Sequence, residues 1–200
     1  MYNTEKKMLP FRNKGIKQRD ATTVDDLIKK LRCFHDPKWR VGIENIVIDS
    51  FSDFADMLMA ECRAKYKGFD IFNAYNSKIY EFFQVLKDIQ GIYVFLTGHP
   101  EILQDADGNT IYRMSVKGKE HEGKIEKFAT CVFYADPKRR AIGQGVEYRF
   151  LTNTDGRYPA KTPMEMFDQL HVPNDVHAIV KRYKEFYSQE PKEIKAAVAA

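Results

Sequence analysis

Two apolar runs in this 200-residue chain end in residues able to do chemistry. Ile46, Val47 and Ile48 run into Asp49 and Ser50, and Tyr93, Val94, Phe95 and Leu96 run into Thr97, Gly98 and His99, with Glu101 close behind. An aspartate at the tip of a buried strand can take Mg²⁺ through the ion's water shell while the ion bridges phosphate oxygens, the Walker B arrangement. The same Asp-Ser pair would equally serve to cap a following helix. A threonine and a histidine at a neighbouring strand tip can read a phosphate or simply close a turn. Cys33, Cys62 and Cys131 form no C-x-x-C or Cys/His cluster, so they read as reduced, structural thiols rather than zinc ligands. Asp105, Asp107 and Asn109 begin like a calcium loop, but the closing acid would fall on Val116, and a hairpin turn is the expectation.

The elements that must position these residues follow from periodicity. Thr22 and Thr23 before Asp25 and Asp26, with Val24, Leu27, Ile28 and Leu31 at helical spacing, predict a capped helix from Thr23 to Phe34. The Ile46–Ile48 run, apolar on both faces, predicts a strand buried in a parallel sheet. Phe51, Phe54, Ala55, Leu58, Met59 and Cys62 predict a helix directly after it, and Phe72, Tyr75, Ile79, Phe82, Phe83, Leu86 and Ile89 predict a second. Two buried strands separated by helices imply parallel strands with crossover connections, whose ligands collect at the carboxyl ends of the strands.

Beyond Gly98 the pattern changes. TIYRMSV and VEYRFLT, beside the turn dipeptides Asp107-Gly108 and Asp155-Gly156, read as half-exposed antiparallel strands. A short helix is expected from Ile125 to Ala129, CVFYAD reads as a third buried strand, and Asp175 to Tyr187 reads as a basic amphipathic helix before a tail that frays after Pro191. Composition sets wide bounds: 44% hydrophobic residues and few Gly or Pro exclude disorder and collagen-like repeats. Lys+Arg of 32 against Asp+Glu of 28 gives +4, which permits a nucleic-acid partner without announcing one. The longest aliphatic and aromatic run, Ile92 to Leu96, is far short of the roughly 20 residues that span a bilayer, so a cytoplasmic protein with no membrane partner is expected.

The succession NTEKKML, IVIDSFSDF, YVFLTGHPE, KIEKFATCVFYAD and YRFLTNTDGRYPAKTP resembles phage RecA-like nucleotide-binding proteins, the AAA-type ATPases of single-strand annealing and recombination, from Tyr2 to Phe167. The resemblance implies an α/β fold with a RecA-like P-loop core: a largely parallel sheet flanked by helices, with antiparallel additions in the C-terminal half. It implies an N-terminally incomplete nucleotide-binding core over residues 1–170, followed by a C-terminal helix and tail over 171–200. ATP and Mg²⁺ are the implied cofactors. Glu5 matches the acid that activates the attacking water, Asp49 the Walker B acid that holds Mg²⁺, Ser50 its neighbour, and Thr97 and His99 the strand end that senses the γ-phosphate. The sequence departs from the family in carrying no G-x-x-x-x-G-K-[ST] loop; its one Gly-Lys pair, Gly118-Lys119, is followed by Glu120. The chain therefore reads as starting inside the family's domain, and as a poor ATPase alone.

The resemblance also implies partners: single-stranded DNA, further copies of the chain in a ring or filament, and a single-strand-binding protein, in the cytoplasm of a phage-infected bacterium. The basic stretch of Lys117, Lys119, Lys124 and Lys127, loosened by Gly118 and Gly123, is the expected DNA contact, although Glu120, Glu122 and Glu126 interleave it and a solvated charged face has the same pattern. Arg139, Arg140, Arg157 and Lys161 are the expected cations reaching a neighbouring subunit's nucleotide. The competing reading is a noncatalytic interaction or DNA-binding module without a P-loop.

Overall fold

The computed structural model describes residues 1–7, 15–140 and 145–188. They belong to two compact units, Met1–Phe128 and Ala129–Ala200.

In the first unit the chain enters on a strand of only two residues, β1 (Tyr2–Asn3), and returns on β2 (Arg19–Asp20). Helix α1 (Val24–Cys33) follows, its first turn capped by Thr23, whose hydroxyl accepts the Asp26 N–H at 3.1 Å. Strand β3 (Asn45–Asp49) leads directly into α2 (Phe51–Lys65); α3 (Asp70–Lys87) then crosses back to β4 (Tyr93–Leu96). The four strands are parallel in the order β2-β1-β3-β4, with Tyr2 opposite Ile48, Asn3 opposite Asp49, and Ile48 opposite Leu96. A short strand thus lies at the centre of the sheet, and the residues just past β1, β3 and β4 meet at one end.

Helices α2 and α3 hold the sheet through aromatic packing. Phe51, Phe54 and Phe82 are fully buried; the Phe54 and Phe82 rings stack with centroids 4.2 Å apart, and Phe83 stacks on Phe128 at 4.3 Å. Val24, Leu27 and Leu31 of α1 close the same core. Next comes the hairpin β5 (Pro100–Gln104) and β6 (Thr110–Met114). The Asp105 carboxylate accepts the N–H groups of Asp107 and Asn109 at 3.0 and 2.8 Å, so it closes a turn, as a hairpin requires. A 3₁₀ turn at Ile125–Phe128 stands where the short helix was expected.

The second unit is antiparallel. It carries β7 (Tyr134–Ala135), β8 (Lys138–Arg139), β9 (Val146–Glu147), β10 (Arg149–Leu151) and β11 (His171–Pro173), followed by α4 (Val176–Ser188). The sheet order is β11-β10-β7, with β8 and β9 paired apart. CVFYAD is therefore not a third buried strand along its length. Only Tyr134 and Ala135 of it are extended in a ladder, antiparallel to β10, and the apolar content goes into ring contacts of Phe133 with Phe150 and Phe167 and of Tyr134 with Tyr158. The antiparallel strands of both units form small sheets of their own. The tail expected to fray after Pro191 lies outside the described residues.

Candidate functional site

The site is built from three strand tips. Past β1, the Thr4 N–H donates to the Asp49 carbonyl at 2.8 Å and the Thr4 hydroxyl donates to the Ser50 carbonyl at 2.7 Å, so the backbone that carries Glu5 is tied to the end of β3. Buried Asn3 donates from Nδ2 to the Lys7 carbonyl at 2.7 Å, and Lys6, at φ 54°, makes the left-handed turn that folds Lys7 back over Glu5. Glu5 is thus held in place at the end of a central strand.

Past β3, Ser50 is the N-cap of α2: its hydroxyl accepts the Asp53 N–H at 3.3 Å and donates to the Asp53 carboxylate at 2.5 Å. The capping expectation for the Asp-Ser pair is met by Ser50 and leaves the Asp49 side chain available. Past β4, the Thr97 hydroxyl donates to Asp49 Oδ1 at 2.5 Å, joining the tips of β3 and β4. The Phe51 N–H donates to the Thr97 carbonyl at 2.8 Å, and the His99 N–H donates to the Ser52 hydroxyl at 2.9 Å, so the first turn of α2 orders the β4 tip as well. Gly98 between them has the Met114 thioether in the space that a Cβ would take.

His99 Nε2 then comes back to Glu5 Oε1 at 3.2 Å, while Lys7 Nζ holds Glu5 Oε2 at 2.9 Å. The hydrogen bond from Lys7, then that from His99, hold the Glu5 carboxyl down to about 2 from an ordinary 4.5, with Asp53 a smaller contributor. Glu5 is accordingly a carboxylate throughout the physiological range, and Lys7 keeps its proton more tightly in return.

Oxygen donors suit Mg²⁺. Asp49 supplies a carboxylate whose Oδ2 no described residue bonds, and Thr97 a hydroxyl beside it. Glu5, Asp53 and His99 offer a second set, with ligand atoms all within 4.8 Å of one another. The donor chemistry of Asp49 and Thr97 fits a hydrated Mg²⁺, which would supply positive charge beside phosphate oxygens; the Gly-rich phosphate cradle is not in these 200 residues.

A family model for the AAA domain matches residues 6–164. The chain belongs to the AAA domain family. The match takes in Asp49, Ser50, Thr97 and His99 and begins one residue after Glu5. No curated protein and no solved structure matches the chain. AAA domains are P-loop-type nucleotide-binding modules, and the parallel sheet flanked by helices is that architecture. Among the described residues of this AAA domain, no helix is long and apolar enough to cross a membrane.

Of the sequence-predicted residues, Glu5, Asp49, Ser50, Thr97 and His99 come together at one end of the parallel sheet. Lys117, Lys119, Lys124 and Lys127 lie exposed on an ordered loop of the same unit. That loop is fixed by buried Val116, His121 and Ile125, by the Lys117 N–H donating to the Tyr75 hydroxyl at 3.0 Å, and by a Glu120–Asn76 hydrogen bond. Arg139, Arg140 and Arg157 are exposed on the second unit, Arg140 facing Glu147 at 3.7 Å, and Lys161 is half-buried there with its backbone bridged to Val132. Sequence reasoning missed Lys7 and Asp53. The spacing Ser50-x-x-Asp53 is a capping-box signal that could have found Asp53; nothing in the local pattern marks Lys7.

Proposed function

We propose that this AAA domain is the ATP-hydrolysing core of a phage RecA-like protein that acts on single-stranded DNA in recombination or annealing. The observation that carries the reading is the convergence of Glu5, Asp49, Thr97 and His99 at the carboxyl ends of β1, β3 and β4. Asp49 would hold Mg²⁺ through water, with Thr97 fixing its carboxylate rotamer. Bound there, Mg²⁺ supplies charge neutralisation of phosphate oxygens.

The chain's own residues divide the remaining work. A carboxylate held at about 2 is too weak a base to carry a proton away early, so Glu5 acts by accepting a hydrogen bond from the attacking water and aligning it. Alignment is what phosphoryl transfer chiefly requires. His99, bonded to Glu5 and standing on the tip of β4, couples the water-orienting carboxylate to the strand whose Thr97 touches Asp49, which is the wiring a phosphate sensor needs. The Lys117 to Lys127 loop would contact DNA phosphates, and Arg139, Arg140, Arg157 and Lys161 would reach a neighbouring copy's nucleotide in a ring or filament, with a single-strand-binding protein as a further partner.

The test is ATP turnover in a polypeptide that joins this chain to a preceding G-x-x-x-x-G-K-[ST] strand and loop. Asp49→Asn should lower Mg²⁺-dependent turnover by about 100-fold or more while far-UV dichroism stays unchanged, since the amide keeps the shape and removes the charge. Turnover unaffected by Asp49→Asn would remove Asp49 from the site. No turnover in the parent would favour a noncatalytic module.

A further inference from the structure

The last turn of α2 and its connection to α3 read Arg63-Ala64-Lys65-Tyr66-Lys67-Gly68-Phe69, and every one of these residues is exposed. Phe69 is 81% exposed, and its ring meets that of Phe72, itself 40% exposed, edge-on with centroids 6.5 Å apart. Single exposed aromatics are ordinary. Here Tyr66, Phe69 and Phe72 share one ten-residue segment with the cations Arg63, Lys65 and Lys67, and a second basic segment from far along the sequence is fixed beside Phe72. Gly118 packs against the Phe72 ring so closely that a Cβ there would lie 3.3 Å from Cδ1. Lys117 is anchored through its N–H to Tyr75 and through Nζ to Asp56 at 3.0 Å, and Lys117 and Lys119 stand on either side of the Gly118 that packs on Phe72. Glu61, Asp70, Glu120 and Glu122 are the acids nearest in sequence; the Glu61 carboxylate accepts the Val24 N–H at 3.0 Å and Glu120 is engaged by Asn76. Among the described residues no ion pair engages Arg63, Lys65, Lys67 or Lys119.

Cations without carboxylate partners beside exposed rings are poorly matched to an apolar protein partner and well matched to a polyanion with stackable faces. Single-stranded nucleic acid has both: phosphates that exchange counterions for Lys and Arg, and bases whose π-faces lie on aromatic rings whatever their identity. We propose that Tyr66, Phe69 and Phe72 form a base-stacking platform for single-stranded DNA, with the DNA backbone running over Arg63, Lys65, Lys67 and Lys119. This rests on the DNA-directed function proposed above and adds to it the α2–α3 connection, which the expectation of a Lys117 to Lys127 contact did not include. The rings supply affinity that salt does not screen, and the cations supply the part that it does.

The experiment is fluorescence anisotropy of labelled oligo-dT with the full 200-residue chain over a range of salt. Phe69→Ala, at a position exposed enough to leave the fold alone, is expected to weaken binding roughly 5- to 100-fold at every salt concentration with the log–log salt slope unchanged, the loss of one base–ring stack. Replacing Arg63, Lys65 and Lys67 together with Gln is expected to flatten the slope by up to about 2, at roughly 0.7 per phosphate contact. Phe69→Trp should keep the parent affinity and place an indole whose emission is quenched by the oligonucleotide. Unchanged affinity in Phe69→Ala, with DNA still bound, would overturn the stacking platform and leave the DNA-directed function standing. No binding of oligo-dT by the parent at low salt would overturn both. A fall in self-association of Phe69→Ala without loss of DNA affinity would assign the rings to a contact between copies and overturn the proposal.

Discussion

Replacing Gly98 by alanine puts a methyl group where the Met114 side chain already lies. The added Cβ would sit 2.8 Å from Met114 Cε and closer still to its Sδ. Such atoms rest about 3.5–4.0 Å apart, so the thioether must retreat by roughly 1 Å or more. Methionine has three rotatable side-chain bonds, and it can retreat without moving β6, at the usual overpacking cost of about 1–3 kcal/mol. Alanine recovers about 0.4–1 kcal/mol by restricting the unfolded chain, which leaves a net loss of roughly 1–2 kcal/mol. For a unit of this size that corresponds to a fall in melting temperature of roughly 3–12 °C. The decisive assay is a thermal double-mutant cycle with Met114→Ala. With the thioether removed, the methyl has space, and Gly98→Ala should become neutral or stabilising, so its effect changes sign between backgrounds. Equal effects in both backgrounds, to within about 0.5 kcal/mol, would refute the argument that Met114 is what holds this position to glycine.

Three further outcomes are expected. Because the Glu5 carboxyl is held at about 2 from an ordinary 4.5, the hydrogen bonds its carboxylate accepts stabilise the fold fully above pH 4.5 and lose that effect as pH falls towards 2; acid unfolding followed by dichroism should show parent and Glu5→Gln separated at neutral pH and converging by about pH 2, and a constant separation would refute the linkage. Phe54→Ala, which removes a fully buried ring stacked on Phe82, should cost about 3–5 kcal/mol in urea denaturation, and a loss under 1 kcal/mol would mean the cluster repacks freely. The purified 200-residue chain should hydrolyse ATP negligibly in a coupled assay, since the motif that cradles phosphates is not in it; robust turnover that disappears in Asp49→Ala would point to a substitute cradle.

The parallel half of the fold is legible wherever one local pattern and one global demand agree. Ile46–Ile48 and Tyr93–Leu96 are apolar on both faces because they lie in a sheet backed by helices, and Thr23 and Ser50 announce their helices because a side-chain oxygen at the N-cap accepts a free N–H of the first turn. Asp49, Thr97 and His99 follow by position, as strand-tip residues. Strand β1 is not legible: Tyr2 and Asn3 have no period to read, and their place in the sheet comes from ladders to residues far along the sequence. Lys7 is hidden for the same reason, since it reaches Glu5 through a left-handed turn at Lys6 that no glycine marks. CVFYAD misleads in the opposite sense, because aromatic residues that pack ring on ring beside a short ladder look in sequence like a strand buried on both faces.

The two-residue strand at the centre of the sheet also sets an order in time. Tyr2 and Asn3 are translated before their ladder partners in β2 and β3, and the end of β3, to which Thr4 is tied, follows Thr4 by 46 residues. At roughly 5–20 residues per second the nascent segment waits about 2–9 s for that partner. The hydroxyl of Thr4 is without its native acceptor throughout this interval, and the strand-tip cluster can close only after Thr97 and His99 have followed. Slowed translation anywhere between Thr4 and Ser50 lengthens that wait, including at residues that have no part in the site.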